Sequence, residues 1–307
     1  MCVSSTLGPQ LGGIEKGEDL VSSQVVLYEQ RDRLVLITLN RPEVRNAQNS
    51  TLLYALDEAF SRFASDDSAG VGILRGAGPC FSAGHDLGSR DVDYDVSFSR
   101  RSLWWDHVGK AGAENRMARE EEVYLGMCRR WRELPKPTIA MVHGACIAGG
   151  LMLAWSCDLI VASEDAFFSD PVIGYGVPGV ELFAHPWEMG GRFAKEFLFT
   201  GERIDARRAL QMGMVNRVVS RDELEEQTMA LATKISSMPR FALALAKKAI
   251  NQAEDCMGRR DGEDAAFGLH QLAHAHNAET TGSPMLGVDP ARIQQSGVSQ
   301  LQMPSHP

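Results

Sequence analysis

Short apolar runs closed by turn residues alternate along this chain with longer stretches of helical period. Val25–Tyr28 and Arg33–Leu39 are rich in β-branched and aliphatic residues, and the polar break at Arg31–Asp32 predicts a hairpin. Asn40-Arg41-Pro42 ends the second strand, because proline cannot donate to a β-ladder. From Asn49 to Ala64, Leu52, Leu53, Leu56, Ala59, Phe60 and Phe63 recur at helical spacing, which gives an amphipathic helix. Val71-Gly72-Ile73-Leu74 is a short apolar strand, closed by Gly76-Ala77-Gly78-Pro79. Strand, helix, strand is a crossover, and it predicts parallel pairing.

The unit recurs. Thr138–His143 reads as a strand, Gly149–Cys157 as a helix and Asp158–Ala162 as the next strand. Continuously apolar strands of this kind suit burial on both faces. Ile204–Met212, Leu224–Ser236, Phe241–Cys256 and Glu263–Glu279 read as helices, with Gly213-Met214-Val215 and Arg217–Val219 between the first two. The stretch 88–122 is polar, mixed in charge and too long for a plain connection, which points to a lid or a mobile loop. Segments 1–24 and 288–307 read as disordered tails. The division expected is a core over 25–222, carrying that insertion, and a helical region over 223–287.

Composition narrows the function. The 307 residues are 44% hydrophobic and 23% charged, an ordinary globular balance. Net charge is −9 with no basic block, so nucleic acid is not an expected partner. No apolar run approaches ~18 residues, so no membrane span is expected. The six cysteines form no CxxC pair and no metal-ligand spacing, and no metal is expected. The N-terminus carries Glu15, Glu18 and Asp19 and no apolar stretch, which argues against a signal peptide and for a cytoplasmic protein.

Two segments carry candidate chemistry. Phe81-Ser82-Ala83-Gly84-His85-Asp86-Leu87 follows a strand and a turn, and His143-Gly144-Ala145-Cys146-Ile147-Ala148-Gly149-Gly150 runs from a strand into a helix. Glycines let backbone approach a ligand, and a helix start leaves N–H groups pointing outward. Two such groups aimed at one point stabilise a developing oxyanion.

Those segments, with Asn40-Arg41-Pro42…Asn46-Ala47, Lys136-Pro137, Cys157-Asp158 and Phe199-Thr200-Gly201, stand in the order and spacing of the crotonase (enoyl-CoA hydratase/isomerase) superfamily, which the chain resembles from about Val25 to about Gly282. The resemblance implies an α/β fold, a spiral of repeated ββα units followed by a helical trimerisation region, assembled as a homotrimer or a dimer of trimers. It implies an acyl-CoA substrate, with coenzyme A arriving as part of that substrate and no covalently bound cofactor. It puts the oxyanion donors on the amides of His85 and Gly149, and the CoA moiety along Arg45, Asn46, Ala47, Ala83 and Leu87.

The chain departs from the hydratase pattern at both acids. The first matching position is Met152 and the second is Val172, in Asp170-Pro171-Val172, and both are expected to contact the substrate instead. Hydration needs a base for water and an acid for the α-carbon, and neither side chain transfers protons. Asp170 is one candidate replacement. Glu181, near an alternative acid position of other superfamily members, is a second, and His85 a third. Tyr175, His185 and His143 are further polar candidates, and Asp106, His107 and Glu120–Glu122 could reach in from the insertion. Arg129, Arg130 and Arg132 suit either a phosphate or a solvated helix face.

Two patterns mislead. Gly174-Tyr175-Gly176-Val177-Pro178-Gly179 matches a dinucleotide fingerprint formally, but Pro178 interrupts it. Cys146 stands where hydrolase elbows carry a nucleophile, yet the final glycine of that motif is missing. Three outcomes stay open within the fold: a lyase or isomerase with displaced acids, a thioester or C–C hydrolase, and a CoA-ester binder without catalysis.

Overall fold

The computed structural model describes residues 25–89 and 91–287; both expected tails, 1–24 and 288–307, lie outside the described residues. β1 (Val26–Arg31) and β2 (Leu34–Leu39) form the expected antiparallel hairpin, tightened by Asp32 at φ +53°. The crossover helix α1 (Ser50–Ser65) is capped by the Asn49 side chain, which accepts from Leu52 N, and buries every apolar position of the predicted stripe. It returns the chain to β3 (Val71–Gly76), parallel to β2. Then β4 (Thr138–Val142), β6 (Leu159–Ser163) and β9 (Arg217–Val219) extend the sheet in parallel to an order β1-β2-β3-β4-β6-β9.

Both faces of that sheet are covered, which explains its unbroken apolar strands. One face, with Val35, Ile37, Leu74 and Ala140, packs on α1 and the main core. The other, with Val71, Ile73, Ile139 and Val161, packs on α8 (Leu224–Ser236). Each fully buried side chain of this size contributes about 1.5–3 kcal/mol through the hydrophobic effect.

A second, small sheet positions the turn between its first strand and the helix that follows it. β5 (Ala145–Ile147), β7 (Phe167–Ser169) and β8 (Ile204–Asp205) are too short to show a period, and the sequence did not announce them. The predicted helix over 204–212 is accordingly split. Ile204 and Asp205 pair with β7, and α7 (Ala206–Gln211) starts only where Asp205 Oδ1 accepts Arg208 N at 2.7 Å. Residues 213–215 form a turn with Gly213 at φ +86°.

The insertion has more structure than its composition suggests. It ends in a helical run made of α2 (Gly112–Glu120), a wide turn over Glu121–Gly126 with i→i+5 geometry, and α3 (Met127–Arg132). Trp104 and Trp105 stack on each other at 4.5 Å and stay partly exposed. The short α4 (Gly149–Trp155) follows β5, α5 (His185–Met189) and α6 (Gly191–Thr200) precede β8, and α9 (Arg240–Cys256) and α10 (Arg259–Thr281) complete the C-terminal helical region. Among the described residues no helix is long and apolar enough to cross a membrane.

Candidate active site

The loop after β2 is fixed by side chains rather than by regular pairing. Arg45 and Asn46 both hold positive φ, +56° and +54°. Asn46 Oδ1 accepts Arg41 N, and Nδ2 donates to the carbonyls of Ala77, Cys80 and Phe81. The buried Arg41 guanidinium donates to Ala47 O at 2.6 Å and to Asp86 Oδ2 at 2.9 Å. Asn46 is therefore fully occupied in tying this loop to the strand β3 turn, and none of Arg45, Asn46 and Ala47 belongs to the cavity wall.

The 81–87 segment runs parallel to β5. Ser82 N donates to Ala145 O, Ile147 N to Ser82 O, and Ser82 bridges Cys146. Three residues further along each arm, His85 meets Gly149. Gln48 N donates to Gly84 O and Asp86 N to Gln48 O, so the pairing straddles His85 and leaves its amide outside that ladder. Gly149 opens α4, where first-turn amides lack an intrahelical acceptor.

Close approach explains the glycines. At Gly84 (φ +96°) a Cβ would lie 2.8 Å from Ile147 O, and at Gly149 one would lie 2.6 Å from His85 Cε1. Ala148 takes φ +47° and ψ −112° to aim Gly149, a conformation costing a non-glycine residue about 1–3 kcal/mol. The Ala148 N–H···O bond to Ser169 helps hold it there.

Beside this turn lies a cavity of about 300 Å³. Of the expected site residues, Ala83, His85, Leu87, Val172 and Glu181 line it, as does Tyr175. Met152 does not; its side chain is buried in the core. Asp170 does not either. It is fully buried behind Val172, where Oδ2 lies 2.8 Å from His185 Nε2 and accepts Val180 N at 3.2 Å. That placement removes Asp170 from the candidates for direct proton transfer and makes it a support for the loop that carries Glu181.

Glu181 is the candidate that reaches the turn. Its Oε2 lies 2.9 Å from His85 Nε2 and its Oε1 3.6 Å from His270 Nε2. Burial alone would raise its pKa, but the facing His85 and His270 outweigh burial and hold it below the usual carboxylate range. The His85 ring stacks on Tyr124 with centroids 3.9 Å apart, and Tyr124 OH accepts from Arg119 Nη1 at 3.1 Å. His85 Nδ1 is buried and has no hydrogen-bond partner among the described residues.

The opposite wall comes from helices. Glu120 of α2 and His270 and His274 of α10 face the cavity with Tyr124. Burial, then the negative charge of Glu181, push the Glu120 carboxyl upward. Glu120 alone of the insertion candidates named above borders the cavity. Glu122 instead holds the amides of Arg101 and Ser102, and His107 Nε2 lies 2.8 Å from Tyr94 O. His270 and His274 were missed; their four-residue spacing was the available signal.

The remaining candidates are structural. His143 Nε2 lies 3.0 Å from Gly78 O. Arg129 pairs with Glu263, Arg130 with Asp57 and Arg132 with Glu254 and Asp255, so these arginines anchor helices rather than a phosphate. Cys146 lies buried in β5, where burial drives its thiol pKa far up and removes the nucleophile. The Gly174–Gly179 pattern sits on a 3-10 turn capped by Gly176 at φ +79°, not between a strand and a helix.

Comparison with known proteins agrees with this frame. The family model described as enoyl-CoA hydratase/isomerase matches residues 29–103 and 105–282. A putative enoyl-CoA hydratase of Mycobacterium tuberculosis is 46% identical over 269 residues, covering 85% of this chain and 84% of its own. The crystal structure of a probable enoyl-CoA hydratase from Mycobacterium smegmatis superposes with a TM-score of 0.78 at 47% identity, covering 86% of this chain and 99% of that one. A monofunctional enoyl-CoA isomerase from M. smegmatis superposes at 0.60 with 29% identity, over 76% of this chain and 94% of its own. With its parallel sheet, its small second sheet and its helical C-terminal region, the chain belongs to the enoyl-CoA hydratase/isomerase family and has the crotonase fold.

Proposed function

We propose that this protein is an acyl-CoA-processing enzyme of isomerase or lyase type that holds a thioester carbonyl between the amides of His85 and Gly149 and moves protons with the Glu181–His85 pair. The observation that carries the reading is Glu181 Oε2 at 2.9 Å from His85 Nε2, both on the cavity wall. Removing a proton next to a thioester carbonyl puts negative charge on its oxygen, and each aimed N–H is worth about 3–4 kcal/mol there. A carboxylate that takes a proton from one carbon and returns it to another moves a double bond with no net change in composition. That chemistry needs one proton carrier, whereas hydration needs two groups, and the residues at the hydratase positions are Met152 and Val172.

The substrate brings its own coenzyme A in this reading, and no further cofactor is required. Exposed apolar side chains on the C-terminal helices, Phe241 and Ile250 on α9 and Leu269 and Leu272 on α10, support assembly as a homotrimer or a dimer of trimers.

The test is turnover of 2-enoyl-, 3-enoyl- and β-keto acyl-CoAs, followed by the enoyl-thioester absorbance and by free thiol. Interconversion of 3-enoyl and 2-enoyl esters, lost by a factor of about 10²–10⁴ in Glu181→Gln, is the expected result. Thiol release would establish a hydrolase instead. Binding without turnover would establish a silent CoA-ester binder, and rapid hydration insensitive to Glu181→Gln would sink the proposal.

A further inference from the structure

The helical wall of the cavity brings together three side chains of metal-ligating type. Glu120 comes from α2, and His270 and His274 come from successive turns of one face of α10. All three are buried, and one potential ligand atom from each lies within 4.8 Å of the other two. The two Nε2 atoms are 2.9 Å apart, and Glu120 oxygens lie 3.8 Å from each of them.

The outer partners fix the tautomers. His270 Nδ1 is 2.8 Å from Gly179 O, and His274 Nδ1 is 2.7 Å from Pro284 O. A carbonyl oxygen only accepts, so each Nδ1 carries the hydrogen. In a neutral imidazole the other nitrogen is then a lone pair. With both Nδ1–H groups turned outward, the 2.9 Å contact between the two Nε2 atoms, beside a carboxylate, needs a positive species there: a proton shared by the rings or a cation bound by both. The Gln271 amide secures one Glu120 oxygen from outside, and Glu181 Oε1, 3.6 Å from His270 Nε2, adds a second negative group. Of the neighbouring cations, Arg119 is engaged by Tyr124 OH and Ser50 Oγ, and Arg116 lies on the cavity wall.

We propose that Glu120, His270 and His274 form a binding site for a divalent transition-metal ion of the zinc class, with an open coordination position toward the cavity. Two histidines four apart on a helix present both Nε2 atoms to one point, and an Nδ1–H···O=C bond is the usual outer support of a ligating histidine. A tetrahedral ion with bonds of about 2.1 Å holds its ligand atoms about 3.4 Å apart. The separations here, 2.9 and 3.8 Å, bracket that value, so small rotamer adjustments close the site. The open position takes water or an oxygen of a molecule in the cavity.

The test uses the full chain, free of affinity tag and stripped with chelator, titrated with cobalt(II) as a spectroscopic probe and with zinc(II) in competition. The expected result is one cobalt per chain with visible bands of a four- or five-coordinate ion, displaced by one equivalent of zinc. His270→Gln and His274→Gln, which keep side-chain volume, should each weaken binding at least tenfold, and the double variant should abolish it. If a variant fails to fold, the stoichiometry and spectrum of the native chain still decide. Absence of cobalt and zinc binding at micromolar concentration overturns the proposal and leaves the two histidines sharing a proton; binding that survives the double variant overturns it too.

Discussion

The cavity has two unlike walls. One is the paired turn of the 81–87 segment and β5, where Ala83, His85, Ile147 and Ala148 border the space, Gly149 follows directly behind, and the approach is too close for any side chain at Gly84. The other is made of side chains, with Glu120, Tyr124, His270 and His274 delivered by helices that lie about 150 residues apart in sequence. Backbone donors are independent of residue identity, so an oxyanion site built from the His85 and Gly149 amides, as proposed, would persist through wide substitution. The second wall holds titratable groups, Glu120, His270 and His274. Glu181 stands between them and touches both, through His85 and through His270.

Breaking the backbone wall should have the largest effect. Gly84→Ala forces a Cβ to within 2.8 Å of Ile147 O at a positive φ, so the two amides can no longer converge. We expect kcat to fall by about 10³-fold or more, since each lost donor costs roughly 10²–10³, with a lowered Tm alongside. Normal turnover in Gly84→Ala would show that the amide pair is not the oxyanion site.

Breaking the junction should come next. Glu181→Gln keeps volume and hydrogen bonding but removes the proton carrier, and kcat should fall within the range given above while the Tm stays close to that of the native protein. Asp170→Asn sharpens the distinction between chemistry and support. It weakens a buried pair with His185 and the bond to Val180 N, so we expect stability to drop by about 3 kcal/mol, as for other broken buried pairs, with a smaller kinetic loss than Glu181→Gln. A kcat loss equal to that of Glu181→Gln with unchanged stability would return Asp170 to the chemistry.

The smallest effect concerns the loop beneath the backbone wall. Burial pushes Asp86 upward, but bonds from Ser89 and Arg41 outweigh it and hold its carboxyl below the ordinary value of 3.8. A depressed folded pKa contributes stability that is present above the unfolded value and is lost as pH falls below it. The Tm of the native protein should therefore drop more steeply from pH 5 to pH 3 than that of Asp86→Asn, which starts about 1–3 kcal/mol less stable at neutral pH. Parallel Tm profiles would mean that the Arg41–Asp86 pair contributes nothing net.

The same contrast explains what could be read from the sequence. The close approach of the two turns was legible because it demands glycine, and Gly84 and Gly149 stand in recognisable local runs; the donor role of the amides came only through the family resemblance. The core strands and α1 were legible because burial on one face or on both leaves a period. Strands β5, β7 and β8 were not, since two or three residues carry no period. The helical wall was hidden for another reason: Glu120, His270 and His274 meet only through tertiary packing, and α2 begins inside a stretch whose charge mixture reads as loop. Asp170 misled because proximity in sequence to Val172 does not fix the direction of a side chain; its neighbour Pro171 lines the cavity while Asp170 turns inward to His185.

The pairing of Ser82 with Cys146 has a consequence for how such a chain can change over time. His85 and Gly149 face each other because each arm is three residues long past that bridge. Inserting or deleting a single residue in either arm shifts one amide past the other and turns its donor away, whatever residue is used. Length is therefore frozen on this side of the cavity, and new reactions can be acquired there only by exchanging side chains on a fixed count.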